Sequence, residues 1–210
     1  MPRQDVMPAA GSEKEPFIPY VSEKDYPENL KPILDPYIAR MGFLPNALKL
    51  YMHRPEIAGT LWKLNSNIMR DPSSTLDQNL KRRLSAVLSK TNGCAYCTAH
   101  CCSMLVSTRG VGLPEGWDMD ADDMVSLLRG DEEPANEMER ACFDFARAAS
   151  KNPQFVPDEI YDRLKALLTP PQIVELACVV GFWKMYNTIH DALRIPIEAH
   201  LMEQAGYVDV

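Results

Sequence analysis

Apolar residues along this chain recur every three or four positions, and nowhere do they alternate convincingly. That period marks helices with one buried face rather than strands. Leu30, Ile33, Leu34, Tyr37, Ile38 and Met41 outline a first helix, which Pro32 and Pro36 are expected to interrupt. Residues 42–46 break the pattern, a helix follows through Tyr51, and Pro55 opens another to about Met69. In that last helix Ile57, Leu61, Leu64 and Ile68 are expected on one face. Residues 71–75 read as a loop with an N-cap signal, and Leu76, Leu80, Leu84, Val87 and Leu88 mark an amphipathic helix ending at Asn92-Gly93. A further helix carries the cysteines to about Ser107, a Gly/Pro-rich loop at 109–120 holds Trp117, and a short helix at 121–128 closes at Gly130.

The same period continues over 137–150, with Met138, Ala141, Cys142, Phe145 and Ala149 inward, and over 158–168. The segment 172–193 is apolar nearly all round its circumference, which predicts a central helix, and a last turn or two spans 198–204. The fold class is therefore all-α, a helical bundle. Residues 17–28, with Pro19 and Pro27, read as an extended arm over its surface.

Length and charge narrow the possibilities. The 210 residues suit a single helical domain over 17–205, preceded by a disordered tail at 1–16. A net charge of -7 with no basic cluster argues against nucleic acid or an anionic membrane as partner. The N-terminal stretch lacks the apolar core of a signal peptide, and no apolar run reaches the roughly 18 residues of a membrane span. A cytoplasmic location is expected, where thiols stay reduced unless they cycle.

Chemistry concentrates between Asn92 and Cys102, which hold four of the six cysteines and one of the four histidines. Cys94 and Cys97 form a C-x-x-C pair, able to close a small disulfide ring or to ligate one metal. Helical spacing places Cys94, Cys97 and Cys101 on one stripe with His100 beside Cys97. Asn92-Gly93 ends one helix and starts the next near Cys94, where the positive helix end favours a thiolate and His100 can take the proton. A zinc site from Cys94, Cys97, His100 and Cys101 fits poorly, because ligands from successive turns of one helix do not readily surround an ion. No metal and no cofactor are expected.

Several segments together resemble the carboxymuconolactone decarboxylase / AhpD-like family, and its peroxidase-related branch in particular. They are Gly42-Phe-Leu-Pro-Asn46, His53-Arg-Pro-Glu56, Asn92-Gly93-Cys94-Ala-Tyr-Cys97 with His100, Glu137 with Ala141 and Ala146, and Ile173-Val-Glu-Leu176 through to Asn187. The resemblance implies an orthogonal bundle with the C-x-x-C at the start of a core helix, and a homo-oligomer: a dimer, trimer or hexamer. It further implies thiol-dependent reduction of a hydroperoxide, with a thiol or lipoyl reductant as partner. Cys97 would be the attacking sulfur, Cys94 the resolving one and the one that the reductant attacks, and His100 the base. Other members of the family are decarboxylases without redox thiols. The family usually carries a Glu twelve residues before the first cysteine, where this chain has Arg82.

Two other functions stay open from the residues: a non-redox enzyme acting on a small carboxylate or lactone, with Arg82 binding it, and an idle redox-sensing oligomer. Arg82 is a solvated surface residue or lines the thiol pocket. Cys101 is a third redox thiol or a small apolar filler. Tyr96, Phe182, Trp183 and Tyr186 wall a pocket or simply fill the core. Cys142 and Cys178 are expected in the core, and Glu175 near a helix start is expected to be structural. His53 and His190 carry no signal of their own. The apolar circumference of 172–193 exceeds what one core covers, so a partner chain is expected over the remainder.

Overall fold

The computed structural model describes residues 16–106 and 133–204. The expected tail, and the loop and short helix at 109–130, lie outside them. Among the described residues there are nine α-helices and no strand: α1 (Lys31–Met41), α2 (Asn46–Tyr51), α3 (Pro55–Met69), α4 (Gln78–Asn92), α5 (Ala95–Val106), α6 (Glu137–Lys151), α7 (Asp158–Leu167), α8 (Pro170–Ala192) and α9 (Ala199–Gln204). None is long and apolar enough to cross a membrane. The N-terminal arm runs extended with two 3-10 turns, at Glu23–Asp25 and Glu28–Leu30. Its Ile18, Tyr20 and Val21 pack on the core.

The prolines of α1 do not interrupt it, contrary to expectation. Pro32 sits in the first turn, where a backbone N–H has no helical partner to lose, and the exposed Pro36 costs a single bond. Gly42 then ends the helix at φ 77, in the left-handed region where glycine has no Cβ penalty. In α3 the expected face turns inward only in part, at Leu61 and Ile68. Ile57 and Leu64 are exposed, while Ala58, Leu61, Trp62 and Met69 turn inward.

α4 is the centre of the bundle, packed by α5, α6 and α8. Asp77 caps it by accepting a hydrogen bond from the Leu80 N–H at 2.9 Å, and Gly93 closes it at φ 75. With neighbours on three sides, α4 buries polar positions as well as Leu84 and Leu88. Lys81 is 0 % exposed, and its ammonium donates to Ile68 O at 2.8 Å, Ser74 Oγ at 2.7 Å and Glu175 Oε1 at 2.9 Å. Glu175 in turn accepts from Ser74 and from the Thr75 and Leu76 N–H groups. Its burial opposes ionisation, but these donors outweigh it and hold the carboxyl down at about 2. The structural role expected of Glu175 is thus to tie the first turns of α8 to the loop before α4.

α8 opens on a capping box, Thr169 with Gln172. It buries Leu176, Val179, Val180, Phe182, Trp183, Asn187 and His190 but leaves Val174 64 % exposed. Cys142 is buried as expected; Cys178, expected in the core, is exposed on that same open face of α8. The face is left open because α4, α6 and α3 approach α8 from the other side.

Candidate active site

Gly93 sets the site. Its left-handed turn ends α4 and lets Cys94 N–H return to Ser89 O at 3.0 Å. The chain then enters α5 with Cys94 at the cap position, its carbonyl accepting from Thr98 N–H at 2.9 Å. Both thiols are free and buried, Cys94 at 0 % and Cys97 at 1 % exposure. The Cys97 N–H donates to Cys94 Sγ at 3.4 Å.

The imidazole that meets Cys97 belongs to His190 of α8, with Nδ1 2.9 Å from Sγ. Cys94, Cys97 and His190 place their ligand-forming atoms within 4.8 Å of one another. Among the described residues, that trio, rather than Cys94, Cys97, His100 and Cys101, is the group of side chains that the fold could offer to a metal. Burial pushes the Cys97 thiol well above its usual range, helped by Cys94 and Cys101 and only tempered by a hydrogen bond from Asn187. Burial, with a contribution from His100, pushes His190 down to about 3. Both shifts favour the uncharged forms of the pair, thiol against imidazole. At Cys97, low polarity outweighs the helix end that was expected to favour a thiolate.

Around His190 the rings of Tyr51, Tyr96 and Tyr186 form a box, with centroids 5.9, 5.1 and 5.3 Å away. Asn187, one turn earlier, accepts from Asn92 Nδ2 at 2.7 Å and donates to Ser89 Oγ at 3.1 Å. Asn92 Oδ1 accepts from Ser150 Oγ at 2.6 Å, so α4, α6 and α8 are locked together behind the thiols.

His100 lies on the next turn of α5 and bonds a carboxylate rather than a thiol. Its Nε2–H donates to Glu198 Oε2 at 2.7 Å. Glu198 Oε1 accepts from Asn46 N–H at 2.6 Å and from the Tyr96 hydroxyl at 3.3 Å. Burial would raise this carboxyl, but His100 and the Asn46 N–H hold it below its usual value. Glu198 thus brings a carboxylate to His100 from a segment remote in sequence, whereas position 82 carries an arginine.

Cys97, His100 and His190 open on one cavity of about 110 Å³, walled by Tyr37, Tyr51, Trp62, Tyr96, Trp183 and Tyr186, with Arg70 and Asn65 among its residues. Tyr96, Trp183 and Tyr186 thus wall a pocket, while Phe182 packs in the core. Arg82 and Cys101, the other pocket candidates, are not among the lining residues. Arg82 is partly buried on α4, and Cys101 packs against Ser89 Oγ at 3.9 Å. Cys94 does not line the cavity either, so the sulfur facing it is Cys97.

Among the described residues, three that line the cavity carry a buried polar atom with no hydrogen-bond partner there: the Tyr51 hydroxyl, Trp183 Nε1 and His190 Nε2. Each such group costs about 1–3 kcal/mol while it stays unpaired. His190 and Glu198 were missed in the sequence. Asn187 and His190, two polar residues three apart on an otherwise apolar helix, were the available signal for the first. Glu198 offered none.

No protein-family model and no curated protein matches the sequence. Solved structures do match. The debrominase Bmp8 superposes with TM-score 0.73 at 23 % identity, covering 90 % of this chain and 96 % of its own. A cysteine-to-alanine variant of it, in complex with 2,3,4-tribromopyrrole, matches with the same score and coverage at 22 % identity. An uncharacterized peroxidase-related protein of Ralstonia eutropha JMP134, an alkylhydroperoxidase AhpD core, matches with TM-score 0.76 at 14 % identity, covering 90 % and 96 %. The fold is AhpD-like. A peroxidase-related protein of Silicibacter sp. TM1040 gives TM-score 0.72 at 19 % identity, with 87 % and 91 % covered. The all-helical expectation and the C-x-x-C at the head of a core helix agree with this AhpD-like architecture.

Proposed function

We propose that this AhpD-like chain is a thiol oxidoreductase that reduces a small hydroperoxide at Cys97, with Cys94 as resolving thiol. The observation that carries the reading is the 2.9 Å contact between Cys97 Sγ and His190 Nδ1 at the wall of a cavity, with Cys94 directly behind. As the sulfur attacks the terminal peroxide oxygen, its proton passes to His190 Nδ1. The S–O bond forms, the O–O bond breaks, and the departing alkoxide takes that proton from His190 and leaves as the alcohol. Cys97 is then a sulfenic acid. Attack by the Cys94 sulfur forms the disulfide and releases water. An external dithiol returns the two electrons, and because Cys97 rather than Cys94 faces the cavity, Cys97 is the sulfur it attacks. This reverses the order that the resemblance implied.

His100, which lines the same cavity and is bonded to Glu198, is a second group able to hold or return a proton. Reduced protein mixed with an organic hydroperoxide should consume it while losing two thiols per chain. Unchanged thiol counts would sink the reading.

The aromatic walls favour one further chemistry for the same thiols. Bmp8 is named a debrominase, and reductive dehalogenation of a ring would also end in a Cys94–Cys97 disulfide. Halide release in step with thiol loss, with no turnover of hydroperoxide, would select it.

A further inference from the structure

Cys94 and Cys97 stand one helical turn apart, and α8 brings a third donor, His190, against them. One ligand-forming atom from each lies within 4.8 Å of the other two. Around a tetrahedral zinc ion, two thiolates and an imidazole nitrogen sit about 3.5–3.8 Å apart, given bonds of about 2.3 Å to sulfur and about 2.0 Å to nitrogen. Side-chain shifts of about an ångström or less therefore seat one ion among all three. A ligand set drawn from two helices escapes the limit on one drawn from successive turns of α5. The Cys97 N–H donates to Cys94 Sγ at 3.4 Å, a bond that favours a sulfur carrying negative charge, as a metal-bound thiolate does. The rings of Tyr51, Tyr96 and Tyr186 pack around the imidazole and hold it in place. Cys97 and His190 both line the cavity, which gives an ion its way in and leaves room for water as a fourth ligand.

We propose that Cys94, Cys97 and His190 form a binding site for a thiophilic divalent cation of the zinc class, with its fourth position open to the cavity. Charge selects the ion. A lone thiolate is costly where the two cysteines are 0 % and 1 % exposed, but a dication held by two thiolates leaves the buried unit uncharged. Binding thus exchanges two thiol protons for one metal ion. Two sulfurs and a nitrogen also exclude magnesium and calcium, which take oxygen ligands. A consequence for regulation rests on the thiol reading given above: a bound ion holds both sulfurs and blocks their chemistry reversibly. Oxidation of the loaded site by a hydroperoxide, with uptake of two protons, yields the disulfide, the alcohol, water and the free ion.

The test needs no peroxide. The reduced, tag-free full chain is titrated anaerobically with Co²⁺, whose four-coordinate thiolate complexes absorb in the visible and near ultraviolet, and Zn²⁺ is then added in competition. One Co²⁺ per chain is expected, with thiolate charge-transfer and tetrahedral ligand-field bands that Zn²⁺ abolishes. Cys94→Ser and His190→Gln should each weaken Zn²⁺ binding by more than about a hundredfold, beyond the cost of losing a partner that only hydrogen-bonds a ligand. Cys101→Ser should leave the cobalt spectrum unchanged. Absence of the charge-transfer bands from the unsubstituted chain overturns the proposal, as does equal Zn²⁺ affinity in that chain and in Cys94→Ser or His190→Gln. Loss of the bands in a Cys101→Ser chain whose circular dichroism is unaltered overturns it too, by returning the ligands to α5. A failed hydroperoxide assay leaves the titration result standing, and a failed titration leaves the hydroperoxide assay standing.

Discussion

Two histidines stand near the thiols, and only one of them is in reach. His190 contacts Cys97 at 2.9 Å, whereas His100 is committed to Glu198 at 2.7 Å. His190→Gln should slow peroxide-dependent disulfide formation by about a hundredfold, the scale of a lost general base, and His100→Gln by clearly less. Stopped-flow fluorescence of the oxidation step measures both, and the opposite order would move the base role to His100. Cys97 should also alkylate slowly with iodoacetamide at neutral pH. Because burial raises its pKa, its rate should keep climbing above the pH near 8.5 where an ordinary thiol levels off. A plateau at or below that pH would show a thiolate already present at rest. Sequence spacing found Cys94 and Cys97 because adjacent helical turns are local. It pointed to His100 for the same reason and passed over His190, whose approach to the sulfur depends on how α8 crosses α5.

At the scale of elements, helix boundaries were legible wherever a local residue sets them. Gly42, Gly93 and Pro55 end or begin helices where the sequence suggests. Which face turns inward was less legible, because that is decided by neighbours, as the exposed Ile57 and Leu64 of α3 show. The Lys81–Glu175 pair was invisible in the same way, since its partners lie 94 positions apart. Glu175→Ala leaves a fully buried ammonium without its carboxylate and should cost about 3–5 kcal/mol in urea unfolding. The pair also carries a pH signature. A glutamate with its pKa depressed from 4.5 to about 2 stabilises the fold fully above 4.5 and loses that contribution as pH falls toward 2. The stability gap between the unsubstituted chain and Glu175→Gln should therefore narrow over that window and stay constant between pH 6 and 8.

For the whole molecule, the open face of α8 predicts self-association. Val174 is 64 % exposed, Cys178 is exposed beside it, and a Cβ added at Gly181 would meet nothing within 4 Å. Small and apolar side chains in one row let a second copy of the same helix approach closely. Light scattering should give a dimer or larger assembly at micromolar concentration, and Val174→Glu with Gly181→Arg should give a monomer. A monomer without those substitutions would leave the face unexplained. The apolar circumference of this helix was evident in the sequence, but the identity of its uncovered side depended on where α3, α4 and α6 pack.

The central claim, that Cys97 reacts and Cys94 resolves, is tested most directly by trapping the oxidised sulfur. Cys94→Ser protein is treated with one equivalent of hydroperoxide in the presence of dimedone, and the labelled residue is located by peptide mass spectrometry. The label is expected on Cys97, and unsubstituted protein under the same treatment should instead yield a Cys94–Cys97 disulfide. A label absent from Cys97, or a disulfide in the unsubstituted chain that omits Cys97, would contradict the account.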